Sequence, residues 1–406
     1  MTRLQDKPVL IAGAGIAGLT AALAFASRGF DVHLFERAES LEEVGAGLQL
    51  SPNATRILRG LGVLPHLATL AVSPEAVVLR EARSLDEVAR VPLGAFAERR
   101  WGAPYLVAHR ADLQSALLTA VRNHPGIELA TGTTVRDFAL SPEGAAFTIE
   151  HEGRTRDIRG SLAVAADGVW STLRALAGEV GKSRFIGQLA WRRTPESDSA
   201  EARALFAACP GVTVNAFLHP GFHLITYPLR GGAQINLAAF TPTKREMETG
   251  WTRSMEIAPL RAAMTHTHPV LAALAAPGTS WTAWPIHIAD LDGAWIDPGG
   301  LALIGDAAHA MTPFAAQGAA MAIEDAETLA AAVAANPGQL ESTLEGWAIA
   351  RRRRVLRVAR RGALNQFAWH AKGPVAIARN AFLKLRGPES LAADLDWLYG
   401  WKPSTH

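Results

Sequence analysis

The chain has 406 residues, 49% hydrophobic and 19% charged, enough apolar material for two or three packed domains and too much for wholesale disorder. A formal net charge of +2 is too small to make nucleic acid or a membrane surface the main partner. The single cysteine, Cys209, excludes an internal disulfide framework and a cysteine-built zinc site, and fits a reducing, cytoplasmic compartment.

Pro8–Ala12 reads as a short buried strand running into glycine, Gly15–Arg28 as a helix closed by Gly29, and Val32–Glu36 as a second strand. The apolar run Pro8–Ala26 resembles a signal peptide in length alone. Its three glycines have the spacing of a strand–turn–helix. No other stretch approaches the ~20 apolar residues of a membrane span. Ser161–Ala166 and Leu301–Ile304 repeat the opening design, each a short apolar strand running into Asp and Gly ahead of a helix. Phe185–Phe240 instead alternates apolar and polar residues, with turns at His219-Pro220-Gly221 and Gly231-Gly232, the pattern of an antiparallel sheet. Ala315–Ala335 is an alanine-rich helix and Leu344–Leu385 a long arginine-rich helical region. The expected fold is α/β. A Rossmann-type nucleotide-binding domain is assembled from residues 1–75, 101–182 and 286–340. A mainly antiparallel β-sheet substrate domain, 76–100 and 183–285, is inserted into it, and a C-terminal helical region covers 341–406.

Three motifs carry the chemistry. In Gly13-Ala14-Gly15-Ile16-Ala17-Gly18, Gly13 allows the tight turn, Gly15 lets backbone approach a pyrophosphate, and Gly18 permits close helix–strand packing. The helix start then offers free N–H groups to phosphate. Glu36, eighteen residues after Gly18, sits where a carboxylate accepts bonds from an adenosine ribose, and it disfavours a 2′-phosphate there. Arg37 either borders the adenosine or lies on the surface. The second motif, Asp167-Gly168 with Val169–Arg174, and the third, Gly305-Asp306 with Ala307–Pro313, each place an aspartate at a buried strand end. Such a carboxylate needs hydrogen-bond donors, which a polyhydroxylated chain or a helix start supplies.

Taken together and in this order, these motifs resemble the single-component flavoprotein aromatic hydroxylases, in particular salicylate-, hydroxybenzoate- and hydroxynicotinate-hydroxylase-like members. The likeness spans nearly the whole chain. It includes Gly45–Asn53, Ala190-Trp191-Arg192, Pro313–Ala319 and His370-Ala371-Lys372-Gly373-Pro374. It implies that FAD is the bound cofactor, with its ADP half on Gly13, Gly15, Ala17, Gly18 and Glu36, and that Arg110 reaches the pyrophosphate or ribityl region. Asp167 and Gly168 would serve both FAD and the reduced nicotinamide, and Gly305 and Asp306 the ribityl chain. Gly47, Leu48 and Gln49 would line one side of the flavin, Pro313, Gln317, Gly318 and Ala319 its pyrimidine end, and Val135 the adenine end. The implied reaction is hydroxylation of a small aromatic or heteroaromatic acid, in aromatic-compound catabolism, with O2 and NADH or NADPH through a flavin C4a-hydroperoxide. The enzyme is expected as a cytoplasmic monomer or homodimer with no metal. A reductase, epoxidase or halogenase of the same fold, and a non-catalytic flavin-binding regulator, are the alternatives.

His223 and Tyr227 are the candidate catalytic residues. Four apart in a strand, they share a face at a separation of ~13 Å, so they can grip opposite ends of a small ring. A neutral histidine suits the task of deprotonating a phenol, which raises the electron density of the ring. The resemblance agrees, because similar hydroxylases carry a histidine and a tyrosine at these places. His309 is read as fixing its loop, His266 and His268 as loop histidines, and Arg351–Arg354 with Arg357, Arg360 and Arg361 as a solvated helix face. Trp191 and Trp284 either line an aromatic pocket or pack in the core.

Overall fold

The chain is described by a computed structural model over residues 7–41, 46–178, 183–244, 253–254 and 256–403; Gly45 of the quoted Gly45–Asn53 run lies outside them. Val9–Ala12 is apolar and buried at every position, as a strand covered on both faces must be. It lies inside a six-stranded sheet of order Ile296–Asp297, Leu301–Leu303, Leu162–Ala165, Val9–Ala12, Val32–Phe35, Ile127–Ala130. All pairings are parallel except the short Ile296–Asp297 edge. Leu162–Ala165 therefore sits between the first strand and Leu301–Leu303, so the glycine-rich first strand end and the two ends that carry Asp and Gly are neighbours along one sheet edge. Helix Ile16–Ala26 packs against helices Arg110–Arg122 and Gly318–Ala335. A three-stranded antiparallel sheet, Thr133–Ser141, Gly144–His151 and Arg154–Gly160, buries Phe147 and Ile149 in the same core.

The alternating segment forms most of an eight-stranded sheet. Its order is Arg253–Ser254, Thr282–Ile288, Arg184–Arg193, Gln234–Pro242, Phe222–Leu229, Thr213–His219, Ala76–Glu81, Glu87–Pro92. The period-2 pattern gives it two apolar faces. Trp191, Phe217, Leu224 and Leu237 pack with Leu205, Leu260 and Leu271 from the helices Ala200–Ala208, Ala258–Met264 and Pro269–Ala273. Ala190, Ile225, Tyr227, Ala238 and Phe240 join the core of the nucleotide-binding unit instead.

The long arginine-rich stretch is helical, as expected, but not continuous. It forms two helices, Leu340–Trp369 and Gly373–Leu385, separated at His370-Ala371-Lys372, because Gly373 takes φ +55° and Pro374 suits only a first turn, and the short helices Pro388–Ala393 and Asp396–Tyr399 follow. Nor is its arginine face wholly solvated. Arg351 is 3% exposed and donates to Glu324 Oε2 at 2.8 Å and Asp325 Oδ1 at 2.7 Å, while Arg354 donates to Glu324 Oε1 at 2.8 Å. Two buried carboxylates on helix Gly318–Ala335 require these cations.

Candidate active site

At the first strand end, Gly13 takes φ +99°, and an added Cβ would fall 2.5 Å from the Ala166 carbonyl oxygen. At Gly18 an added Cβ would fall 1.8 Å from the Gly13 carbonyl oxygen, so helix and turn approach as only glycine permits. Gly15, by contrast, has nothing within 4 Å of where a Cβ would stand. The helix that begins at Ile16 has no side-chain cap and no acidic residue in its first turn. Its N–H groups are suited to an anion. Glu36 braces the turn, accepting from Ala14 N at 2.8 Å and Ala38 N at 3.0 Å; Arg37 beside it is exposed.

Asp167 Oδ2 accepts from Thr172 N at 2.8 Å and Leu173 N at 3.2 Å, so this aspartate does steady the following helix. Its Oδ1 is buried without a partner among the described residues, an oxygen left for an external donor. Gly168 takes φ +82°. Gly305 N donates to Asp325 Oδ2 at 2.9 Å, and Asp306 beyond it is exposed. His309 is 1% exposed and bonded through Nε2 to Asp325, which fixes its loop as expected. A 3-10 turn, Pro313–Ala315, and Ala316 at φ +51° then lead into helix Gly318–Ala335, whose first turn has neither cap nor acidic residue. Gln317 points away from that N-terminus, bonding Ser51 Oγ at 2.9 Å, so only its backbone faces the place where Gly318 and Ala319 begin the helix. These features fit a dinucleotide carrying hydroxyls, phosphates and an anionic ring: an orphaned acidic oxygen, two uncapped helix starts and a glycine cradle along one sheet edge.

Gly47–Leu50 pairs with Leu106–His109, and Arg110 follows as the first residue of its helix, its N–H on the Ala46 carbonyl at 3.2 Å. Gln49 Oε1 accepts from Tyr105 Oη at 2.6 Å, and Leu48 is half-buried. Val135 lies apart on Thr133–Ser141, half-buried opposite Ile149. Gly47 N donates to Asn236 Oδ1 at 2.9 Å, and an added Cβ there would fall 2.5 Å from the Tyr227 ring. The sheet thus meets the Gly47 strand at Tyr227.

At the other end of the same strand, His223 meets the Pro313 turn. It is 1% exposed, stacks on Phe240 with ring centroids 4.5 Å apart, and lies 5.0 Å from Phe314 and 5.2 Å from Trp369. His223 Nδ1 lies 3.2 Å from His370 Nε2, and His370 Nδ1 lies 3.0 Å from the Gln366 carbonyl oxygen. A carbonyl only accepts, so His370 Nδ1 carries the proton and its Nε2 is the acceptor. His223 Nδ1 is then the donor, and its Nε2 keeps a lone pair. Burial, and the neighbouring His370, push the His223 pKa well below the usual histidine value; burial also lowers that of His370. Both rings are therefore neutral near pH 7. Burial raises the Tyr227 hydroxyl against the opposing pull of Arg192, so it remains a donor.

His370, Phe240, Asn236 and Arg192 were not assigned roles from sequence. His370 and Arg192 lie in the quoted motifs His370–Pro374 and Ala190–Arg192, and the glycine–proline pair after His370 is the local sign that the helix breaks there. Of the two tryptophans, Trp191 is wholly buried on the helix-covered face and bonds Thr241 Oγ1 at 2.8 Å, whereas Trp284 lies under the Arg192 guanidinium. His268 caps the helix Pro269–Ala273 by accepting from Val270 N.

The chain matches the FAD binding domain family over residues 6–361. It is 32% identical to a 3-hydroxybenzoate 6-hydroxylase of Polaromonas naphthalenivorans (strain CJ2) over 398 residues, 98% of this chain and 96% of that protein. It is 31% identical to a 6-hydroxynicotinate 3-monooxygenase of Pseudomonas fluorescens over 80% of this chain and 82% of that one. A salicylate hydroxylase in complex with its substrate has the same fold, with a TM-score of 0.79 at 24% identity, covering 98% of this chain and 96% of that one.

Proposed function

Because the chain belongs to the FAD binding domain family, among its FAD-dependent aromatic monooxygenases, we propose that it hydroxylates a small phenolic or heteroaromatic acid held between His223 and Tyr227. The observation that carries this reading is the double junction of the sheet. Tyr227 packs on the Gly47 strand and His223 on Phe314 of the Pro313 turn, so the two predicted flavin-lining segments converge on the two predicted catalytic residues.

When bound, FAD would supply the redox chemistry, with two electrons from NADH or NADPH and one atom of O2 for the ring, the other atom leaving as water. Gly13, Gly15, Ala17, Gly18 and Glu36, with Arg37 and Val135 at the adenosine side, would hold its ADP half. Arg110, Asp167, Gly168, Gly305 and Asp306 would hold the middle. Gly47, Leu48, Gln49, Pro313, Gln317, Gly318 and Ala319 would line the ring. His223 Nε2 takes the phenolic proton, and its Nδ1–H stays donated to His370, which is a positioning residue fixing the tautomer. Tyr227 donates its hydroxyl hydrogen to the other end of the substrate. The eight-stranded sheet is the substrate-binding unit, and the protein acts in the cytoplasm as a monomer or homodimer. No helix among the described residues is long and apolar enough to cross a membrane.

The test is oxidation of NADH or NADPH by the FAD-loaded protein with a panel of hydroxybenzoates and hydroxynicotinates, following oxygen uptake and product. Stimulated oxidation with a hydroxylated product is expected. Turnover without any hydroxylated ring, or no stimulation by the whole panel, would reject the reading.

A further inference from the structure

Arg192 stands on the active-site face of the eight-stranded sheet. Its strand neighbours Leu189 and Trp191 belong to the helix-covered core, while its cross-strand partner Ala238 belongs to the opposite one. The register fixes its place further. Arg192 pairs with Ala238, Ala238 with Ile225, and Ile225 with Ala216. This row crosses the sheet midway between the His223–Phe240 and Tyr227–Asn236 pairs. Ala190, Ala216 and Ala238 raise only methyl groups from that surface and Ile225 stands between His223 and Tyr227 on their own strand, so the floor is apolar and Arg192 flanks it.

Among the described residues the guanidinium has no counter-ion: no carboxylate lies within 4.0 Å of it, whereas the next residue, Arg193, has Glu201 Oε1 at 2.6 Å. Its Cζ stands 5.8 Å from the centroid of Trp284. Burial disfavours its charge, Tyr227 favours it and Arg110 opposes it. Half-buried, with an aromatic face and a neutral phenol for neighbours, this arginine can take an anionic partner from outside the protein. Its planar fork matches a carboxylate through two parallel N–H bonds.

We propose that Arg192 is the anchor for the carboxylate of the aromatic substrate, making the enzyme selective for acids over neutral phenols. This rests on the reading above, that a phenolic ring lies between His223 and Tyr227. The row geometry then sends the acid group sideways to Arg192 while the phenolic hydroxyl meets His223.

The test compares wild-type, Arg192→Met and Arg192→Lys holoenzymes. Salicylate, 3-hydroxybenzoate, 4-hydroxybenzoate and 6-hydroxynicotinate are each titrated against the neutral hydroxymethyl counterpart. Equilibrium binding is read from the flavin absorbance, with FAD content and the KM for NADH and NADPH measured in parallel. Wild type should prefer at least one acid over its alcohol. Arg192→Met should weaken that acid on the order of 10–100-fold, as expected for a lost charge-assisted pair, and leave the alcohol within about twofold. Arg192→Lys should recover part of the difference. Equal losses for acid and alcohol would overturn the proposal, as would a loss confined to FAD content or to the nicotinamide KM, which would put the arginine on a cofactor phosphate. Failure of every compound to bind wild type would overturn it too. Binding without turnover would reject only the monooxygenase reading, because the acid–alcohol comparison still decides the role of Arg192.

Discussion

At the scale of single residues, the proposed chemistry depends on a histidine kept neutral and in one tautomer. His223 is buried among Phe240, Phe314, Trp369 and His370, surroundings that disfavour its charge. A base whose pKa lies below about 6.5 remains unprotonated into mildly acidic solution. Replacing it by His223→Asn should lower kcat/KM for a phenolic substrate by roughly 10²–10⁴-fold with FAD binding intact, and should abolish the low-pH limb of the pH–rate profile. A profile unchanged in shape would remove His223 as the base. His370 is separable from it. His370→Phe removes the acceptor for Nδ1–H, whereas His370→Gln retains one. Lost turnover in the first, restored in the second at equal FAD content, is the expected pair of results. Equal activity in both would deny the positioning role.

At the scale of elements, helices Gly318–Ala335 and Leu340–Trp369 are tied by charge buried between them. Burial pushes the Asp325 carboxyl up, but His309 and Arg351 outweigh it and hold the pKa below the ordinary value. Glu324 also accepts from Asn53 Nδ2 at 2.7 Å, which links this pair to the segment after Gly47–Leu50. The arginine-rich helix therefore positions the uncapped start of Gly318–Ala335 as well as covering it. Arg351→Met leaves two buried carboxylates short of a cation and should destabilise the protein by about 3–5 kcal/mol, read as a lower urea midpoint. A loss below about 1 kcal/mol would show that the network contributes little.

At the scale of the whole molecule, stability should depend on pH through the same histidines. His223, His370 and His219 have folded pKa values lowered chiefly by burial, so the unfolded chain binds their protons more readily. The stability they confer is complete above the unfolded value, about 6.5, and is lost as pH falls from there toward their folded values. Thermal melts of the holoenzyme should show a falling Tm between about pH 7 and 5, with the slope reduced in His223→Asn. A Tm flat across that range would contradict the assignment of neutral buried rings.

Much of this architecture was legible in the linear chain. Gly13, Gly15 and Gly18 at their spacing, Glu36 at the second strand end, and the two later Asp–Gly strand ends read as one nucleotide fold, because local geometry forces those residue types at turns that bind phosphate and sugar. Alternation over Phe185–Phe240 read as an antiparallel sheet with one packed face, because side chains in a strand must alternate; the structure packs both faces, one under helices and one on the other unit. His223 and Tyr227 read as a pair on one face for the same reason. What the chain order left open was everything set by register and packing between distant segments. Only tertiary structure turned the His370 break toward His223 and buried Arg351 against Glu324 and Asp325. It alone set Trp191 and Arg192, adjacent in sequence, on opposite faces, one in the helix-covered core and the other over Trp284. Burial and counter-ions decide what a histidine or arginine does, and those belong to neighbours brought together only by folding.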